Sequence, residues 1–290
     1  MKPYLGGESE DFSQALTLRV GSKILSLDRP LLMGTLNITP DSFYAASRIS
    51  IPDEILNRVR TMREEGMDIL DLGAMSSRPG AEMICEAEET DRLLPVLEAI
   101  RKNNPDLIIS IDSFRSNVIK QAARVGIEIA NDISAGMLDP MMPPTVKALN
   151  LTYILMHMPG NPLTMQKHTH YHHLRQDILQ YLQQKVAEMR SLCITDLIID
   201  PGIGFGKTTA QNFELIKHLS DFKLMGVPLL IGISRKSFIW KTLKGNSESA
   251  LNGTSFMHAY CLQNGANILR VHDVHSAMEC IKLHQEIKKY

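Results

Sequence analysis

Short apolar runs recur eight times along this 290-residue chain, and each is followed by a longer segment of helical period. The runs are Leu31–Leu36, Asp68–Leu72, Leu107–Ile111, Ile127–Ala130, Thr152–Met156, Leu197–Ile199, Pro228–Ile233 and Asn267–Val271. Most lack alternation of apolar and polar residues, as strands covered on both faces do. The helical segments are 52–65, 86–103, 114–125, 140–149, 171–192, 209–220, 235–262 (more than one helix) and 273–289. In the first, Ile55, Val59 and Met62 recur on one helical face. Gly66, Gly126, Gly226 and Gly265 stand shortly before the next run, where helix C-caps are expected. Eight strand–helix units on one chain predict an α/β fold, a (β/α)8 TIM barrel. An open doubly wound sheet is the alternative, and the count of eight disfavours it.

Ahead of the barrel, Leu16–Val20 and Lys23–Leu27 flank Gly21-Ser22, which predicts an N-terminal β-hairpin. The chain therefore divides into an extension and hairpin, 1–27, and a barrel domain, 28–290.

Composition narrows the function classes. Apolar residues make up 44% and charged residues 22%, ordinary for a globular protein. A net charge of −1 argues against a broad nucleic-acid footprint. The first ten residues have no apolar core, so no secretory signal is expected there. No apolar run reaches the ~20 residues that span a bilayer. The four cysteines form no CxxC pair, which leaves a reduced, cytoplasmic setting as the simplest reading.

In a barrel of this kind the active site lies at the C-terminal ends of the strands. The residues at those eight tips are Asn37–Phe43, Gly73–Gly80, Asp112-Ser113, Asn131-Asp132, His157, Asp200, Ser234–Ser237 and His272-Asp273, with Arg270 two residues before the last pair. Helix capping shares the credit for Ser113, Asp132 and Asp273. It does not account for Lys236, Arg270 and His272.

Asp200-Pro-Gly-Ile-Gly-Phe-Gly-Lys207 resembles a phosphate loop at first sight. The Walker spacing would need glycine at Pro201, and the dinucleotide spacing would need one at Lys207. The stretch reads instead as an acid at a strand tip beside a glycine turn, with room for a flat ring. Asp112, Asn131 and Asp200 suit a donor-rich heterocycle such as the edge of a pterin or guanine. Arg78, Lys236, Arg270 and His272, with Ser77 as a neutral donor, suit a phosphate or diphosphate. A heterocycle and a diphosphate in one pocket suggest group transfer with diphosphate leaving.

These stretches resemble the dihydropteroate synthase family over about residues 28–288. The matching segments are Met33–Phe43, Ser76–Ala81, Ser110–Ser113, Asn131–Ser134, Leu155–Met158, Asp200–Lys207, Ser234–Ser237 and Arg270–Asp273. The resemblance implies a homodimeric barrel that joins 4-aminobenzoate to 6-hydroxymethyl-7,8-dihydropterin diphosphate with Mg²⁺, in folate synthesis. It also implies the roles. Asp200 and Asn131 hold the pyrimidine edge of the pterin. Asp112 lies by the reduced ring and Lys236 reaches its carbonyl. Met156 and Phe205 wall the ring. Asn37 helps hold Mg²⁺ and the diphosphate, with Ser77, Arg270 and His272 on the anion. Ser237, Arg78 and Pro79 frame the 4-aminobenzoate. Asp112 and Asp41 stabilise a pterin-methylene cation, and the loops 37–50 and 73–85 close over the site.

The chain departs from the family pattern where an Asp-Gly pair is usual, with Ala45 and Ala46, and carries Pro159 where Arg is common. A catalytically silent pterin-binding regulator is therefore a rival reading. A methyltransferase passing a methyl from a methyltetrahydropterin to a corrinoid is another, disfavoured because it has no diphosphate to hold. His168, His170, His172 and His173 read as a solvated loop, the methionines as core filler and Trp240 as packing. Lys207 is open between a site-edge cation and a surface lysine.

Overall fold

The structure, a computed structural model, describes residues 17–38, 53–75 and 83–290. Strands β1 (Thr17–Val20) and β2 (Lys23–Ser26) form the antiparallel hairpin around Gly21. Eight parallel strands follow: β3 (Leu31–Asn37), β4 (Ile69–Gly73), β5 (Ile108–Asp112), β6 (Ile129–Asp132), β7 (Thr152–Met156), β8 (Leu197–Asp200), β9 (Leu230–Gly232) and β10 (Ile268–Val271). Their order is β8-β7-β6-β5-β4-β3-β10-β9. A parallel bridge between Ile199 and Leu229, with Ile199 N donating to Pro228 O at 2.9 Å, closes the barrel between β8 and β9. The eightfold rhythm is thus the barrel it predicts.

The helices are α1 (Asp53–Glu64), α2 (Glu86–Asn103), α3 (Ser116–Val125), α4 (Met142–Leu149), α5 (Leu174–Ser191), α6 (Thr209–Lys217), α7 (Ser237–Thr242), α8 (Leu251–Gln263) and α9 (Val274–Ile287). Helix α1 buries Ile55, Val59 and Met62, the face its period marks. Helix α6 starts on a capping box: Thr208 accepts from Gln211 N, and Gln211 accepts from Thr208 N. The segment expected as one helix over 209–220 ends at Lys217 and gives way to a 3-10 turn, Leu219–Met225. The segment 235–262 splits at Thr242, as its length suggested.

Side chains alternate between barrel interior and helix layer along each strand. Outward residues such as Leu70, Leu72, Ile109, Ile111, Leu155, Ile199, Ile231 and Leu269 join the large core under the helices. The inward residues change character with height. Ile69, Ile108, Ile129, Ile154, Ile198, Leu230 and Ile268 form one apolar cluster with Leu31 and Met33, and Leu18, Val20 and Leu27 of the hairpin segment belong to it. The hairpin therefore seals the N-terminal end of the barrel, tied on by Thr152 Oγ1, which donates to Arg19 O at 2.8 Å. Two residues further along the same strands stand Asp71, Ser110, Asn131, Met156, Asp200, Gly232 and Arg270. One step of the two-residue period carries the interior from a dry floor to a polar layer.

Candidate active site

Arg270 is the centre of that layer. Its Nε donates to Asp71 Oδ2 at 2.7 Å and its Nη2 to Asp112 Oδ2 at 2.7 Å. Asn131 Nδ2 lies 3.3 and 3.2 Å from the two oxygens of Asp71. Asp71 is fully buried, so these donors rather than water satisfy its oxygens. Burial pushes the Asp112 carboxyl up to about 7, against the pull of Arg270 and with a further push from Asp71. Asp71 is a site residue that strand-tip reasoning misses, because it stands inside the run Asp68–Leu72 rather than after it. Its signal is the period of two: it follows Ile69 on the inward face.

Asp200 ends β8, and its Oδ1 accepts from Gly202 N at 2.7 Å. Burial raises its pKa, opposed chiefly by the charge of Lys236. The next residues form a loop outside any strand ladder, so its carbonyls need other partners. Lys207 Nζ takes Gly202 O and Phe205 O, each at 2.9 Å. Lys236 Nζ donates to Ile203 O. Gln166 Nε2 reaches Gly204 O at 3.2 Å, and Tyr171 OH reaches Gly206 O at 2.9 Å. Five consecutive carbonyls are each capped by a side chain.

The glycines of this loop answer to the protein's own packing, a need beside the expected room for a ring. Gly202, Gly204 and Gly206 all have positive φ. A Cβ on Gly202 would sit 2.0 Å from His157 O, one on Gly204 2.9 Å from Lys236 Cδ, and one on Gly206 2.2 Å from Pro159 Cγ. The loop is pressed onto the tip of β7 and onto Lys236. Lys207 is buried rather than a surface lysine, and it stands at the edge of the site with its amine taken up by the loop. Lys236 Nζ lies 4.6 Å from the Phe205 ring centroid. Burial lowers Lys236 to about 8, with Asp200 opposing. Met156 and Phe205 come together in an apolar cluster with Met75, Phe114 and Met158 beside this loop.

The rim is built by the β9–α7 turn. Ser237 opens α7 and is exposed; Lys236 precedes it. Arg235 adopts φ 53, and its guanidinium pairs with both oxygens of Asp273 at 2.8 and 2.9 Å. Asp273 stands at the N-cap of α9 without a side-chain cap bond, so its carboxylate serves the turn instead. Asp132 likewise binds Ser134 N, Gly136 N and Tyr153 OH rather than capping α4. Ser113 Oγ accepts from Arg115 N within the loop before α3. His272 N donates to Ser234 Oγ at 3.3 Å, joining the tips of β9 and β10.

A cavity of about 1010 Å³ opens at this rim, lined in part by Asn37, Phe205, Lys236, Ser237, Arg270 and His272, with Asp112, Asn131 and Asp200 outside its lining. Its size suits a two-ring substrate with a second small molecule. Asp41, Ser77, Arg78 and Pro79, with Ala45 and Ala46, lie outside the described residues. No group of three or more His, Cys, Asp or Glu side chains among the described residues could hold a metal ion, the histidines 168–173 included.

The chain matches the sequence profile of the pterin binding enzyme family over residues 33–272. Dihydropteroate synthase of Haemophilus influenzae is 40% identical over 272 residues, spanning 93% of this chain and 98% of that one. The Yersinia pestis dihydropteroate synthase, solved as a sulfonamide drug complex, superposes with a TM-score of 0.88 at 34% identity, covering 95% of this chain and 100% of that one. The Xanthomonas albilineans enzyme, solved with 4-aminobenzoic acid, gives 0.86 at 34% identity, with 96% and 100% covered. The chain belongs to the pterin-binding enzymes and, within them, to the dihydropteroate synthases.

Proposed function

We propose that this chain condenses 6-hydroxymethyl-7,8-dihydropterin diphosphate with 4-aminobenzoate, giving 7,8-dihydropteroate and diphosphate in folate biosynthesis. The observation that carries the reading is the convergence of Asp112, Asn131, Asp200 and Lys236 above a dry floor, beside the guanidinium of Arg270 and the imidazole of His272. Asp200 accepts from the N3–H and 2-amino group of the pterin, and Asn131 binds the other side of that edge. Lys236 leaves the Ile203 carbonyl for the pterin carbonyl and ring nitrogen. Met156 and Phe205 supply the apolar walls. Arg270, held by Asp71 and Asp112, turns its remaining Nη1 to the diphosphate with His272, Ser77 and Asn37.

Loss of diphosphate leaves a cation at the pterin methylene, and the carboxylates of Asp112 and Asp41 stabilise it. The amine of 4-aminobenzoate, framed by Ser237, Arg78 and Pro79, attacks that carbon and loses a proton. No covalent enzyme intermediate is needed. Among the described residues Asn37, with its neutral amide oxygen, is the residue we assign to Mg²⁺. That fits an ion that keeps its waters and is carried largely on substrate phosphates. Bound there, it would neutralise charge on the leaving group.

We read the protein as cytoplasmic and homodimeric. No described helix is long and apolar enough to cross a membrane, and the four cysteines are free. Helices α8 and α9 pack together and expose Phe256 and Tyr260, and Leu283 and Ile287, each pair one turn apart. A second copy would cover this face. The test of activity is an assay with both substrates that follows dihydropteroate. Activity that D200A abolishes, with loss of pterin binding, supports the reading. Pterin binding without product would leave a silent pterin binder.

A further inference from the structure

Lys207 is a buried ammonium for which neither the motif comparison nor the reaction chemistry has a use. It is 4% exposed, and Nζ has three partners: Gly202 O and Phe205 O at 2.9 Å, and His157 Nδ1 at 3.1 Å. An ammonium carries three hydrogens, so its donors are filled. In that ammonium form Lys207 donates to His157 Nδ1, and the ring is neutral with its proton on Nε2. Burial and the Lys207 charge push His157 down to about 2, in keeping with that neutral form. Burial also lowers Lys207 to about 7, with Asp200 opposing.

The cation spans the glycine loop at both ends and ties it to β7. The loop has no ladder bonds of its own, and Phe205 within it faces Lys236. We propose that Lys207 is a positioning residue for the pterin, acting through the glycine loop: it holds Phe205 and the Asp200–Gly202 turn in the shape that receives the ring. Gln166 and Tyr171, on Gly204 O and Gly206 O, are lesser struts of the same loop. The inference rests on the pterin site proposed above.

The test compares wild type with K207M, which keeps the length of the stem and removes all three donors. Q166L with Y171F is a second variant, altering one exposed and one half-buried side chain. Affinity for 6-hydroxymethyl-7,8-dihydropterin diphosphate is measured by calorimetry, alongside the KM for each substrate. The expected result is a loss of pterin affinity of about tenfold in K207M, as for charged hydrogen bonds, and a smaller loss in the double variant. The KM for 4-aminobenzoate should stay within about twofold, because Ser237 sits on a different element. A merely structural lysine would lower the active fraction and leave both KM values in place, and that outcome overturns the proposal. So does wild-type pterin affinity in K207M. If K207M fails to fold, the double variant decides: weakened pterin binding supports the proposal and wild-type binding sinks it. D200A serves as the control. If D200A loses pterin binding while the strut variants keep it, only the role of Lys207 fails. If D200A also binds normally, the site itself is wrong.

Discussion

Arg270 on β10 and Asp71 on β4 meet across the intervening β3 at 2.7 Å, inside the barrel. The pair orients more than itself. Asp71 also receives Asn131, and Arg270 also reaches Asp112. One fully buried carboxylate therefore aligns at once the residue proposed for the pterin edge and the one proposed for the anion.

Replacing Asp71 by leucine should be severe, because it leaves the Arg270 and Asn131 donors without their acceptor. Removing one partner of a buried ion pair typically costs about 3–5 kcal/mol. Denaturant unfolding should show a loss of that order in D71L. D71N keeps one acceptor oxygen and should lose less stability, yet still raise the KM for the diphosphate substrate. Wild-type stability in D71L would mean that the pair contributes nothing.

The pH dependence of kcat/KM should be a narrow bell, since this parameter reports groups of the free enzyme. In its proposed role of steadying a cation Asp112 must be a carboxylate, and burial holds it at about 7. Activity should rise as pH climbs through that value. Lys236 must be an ammonium to donate, and burial holds it at about 8. Activity should fall as pH climbs further. K236R keeps its charge and should soften the alkaline limb without abolishing it, because Lys207, lowered by burial to about 7, also loses its proton there. A wild-type profile that is flat from about pH 6 to 9 would contradict these assignments.

His258 on α8 is buried with Nε2 unpartnered among the described residues. Burial, opposed by Asp273, lowers it from 6.5 to about 4. The folded value lies below the unfolded one. The stability tied to the neutral ring is therefore present above pH 6.5 and lost as pH falls through about 4. The melting temperature should drop across that window, and less steeply in H258L. His157 acts in the same direction and remains in the variant, so the slope should shrink without vanishing.

Charging the exposed face of α8 and α9 tests the second copy. F256D with L283D changes two outward side chains and should leave the barrel folded by circular dichroism. Light scattering should then report a monomer, against the dimer expected of the wild type. A wild type that is monomeric at micromolar concentration would remove the homodimer from the account.

The barrel was readable because its strands are short, apolar and separated by amphipathic helices. The tips were readable for the same reason: once a run ends, the next polar residue stands at the mouth. Asp112, Asn131 and Asp200 follow that rule. Asp71 escaped it because an inward acid two residues above Ile69 looks like an interruption of a strand. Lys207 escaped for another reason. Nothing in the spacing of glycines says whether a following lysine turns out to solvent or folds back under the loop. The partners that hold it, His157 and the carbonyls of Gly202 and Phe205, are brought together only by the closure of β7 against β8. Asp273 sits at a helix start, where a cap is the local expectation, and a distant arginine outcompetes it.

The hairpin and its apolar floor make the barrel blind-ended. Whatever enters must leave by the same mouth. The groups proposed for the pterin lie below Ser237, which stands at the rim, so an arylamine seated there blocks the way to the deeper position. Traffic becomes a queue. The dihydropterin must arrive first, and the joined product must back out whole. Initial-rate and product-inhibition kinetics should accordingly show compulsory order, with 4-aminobenzoate gaining its site only after the pterin is in place.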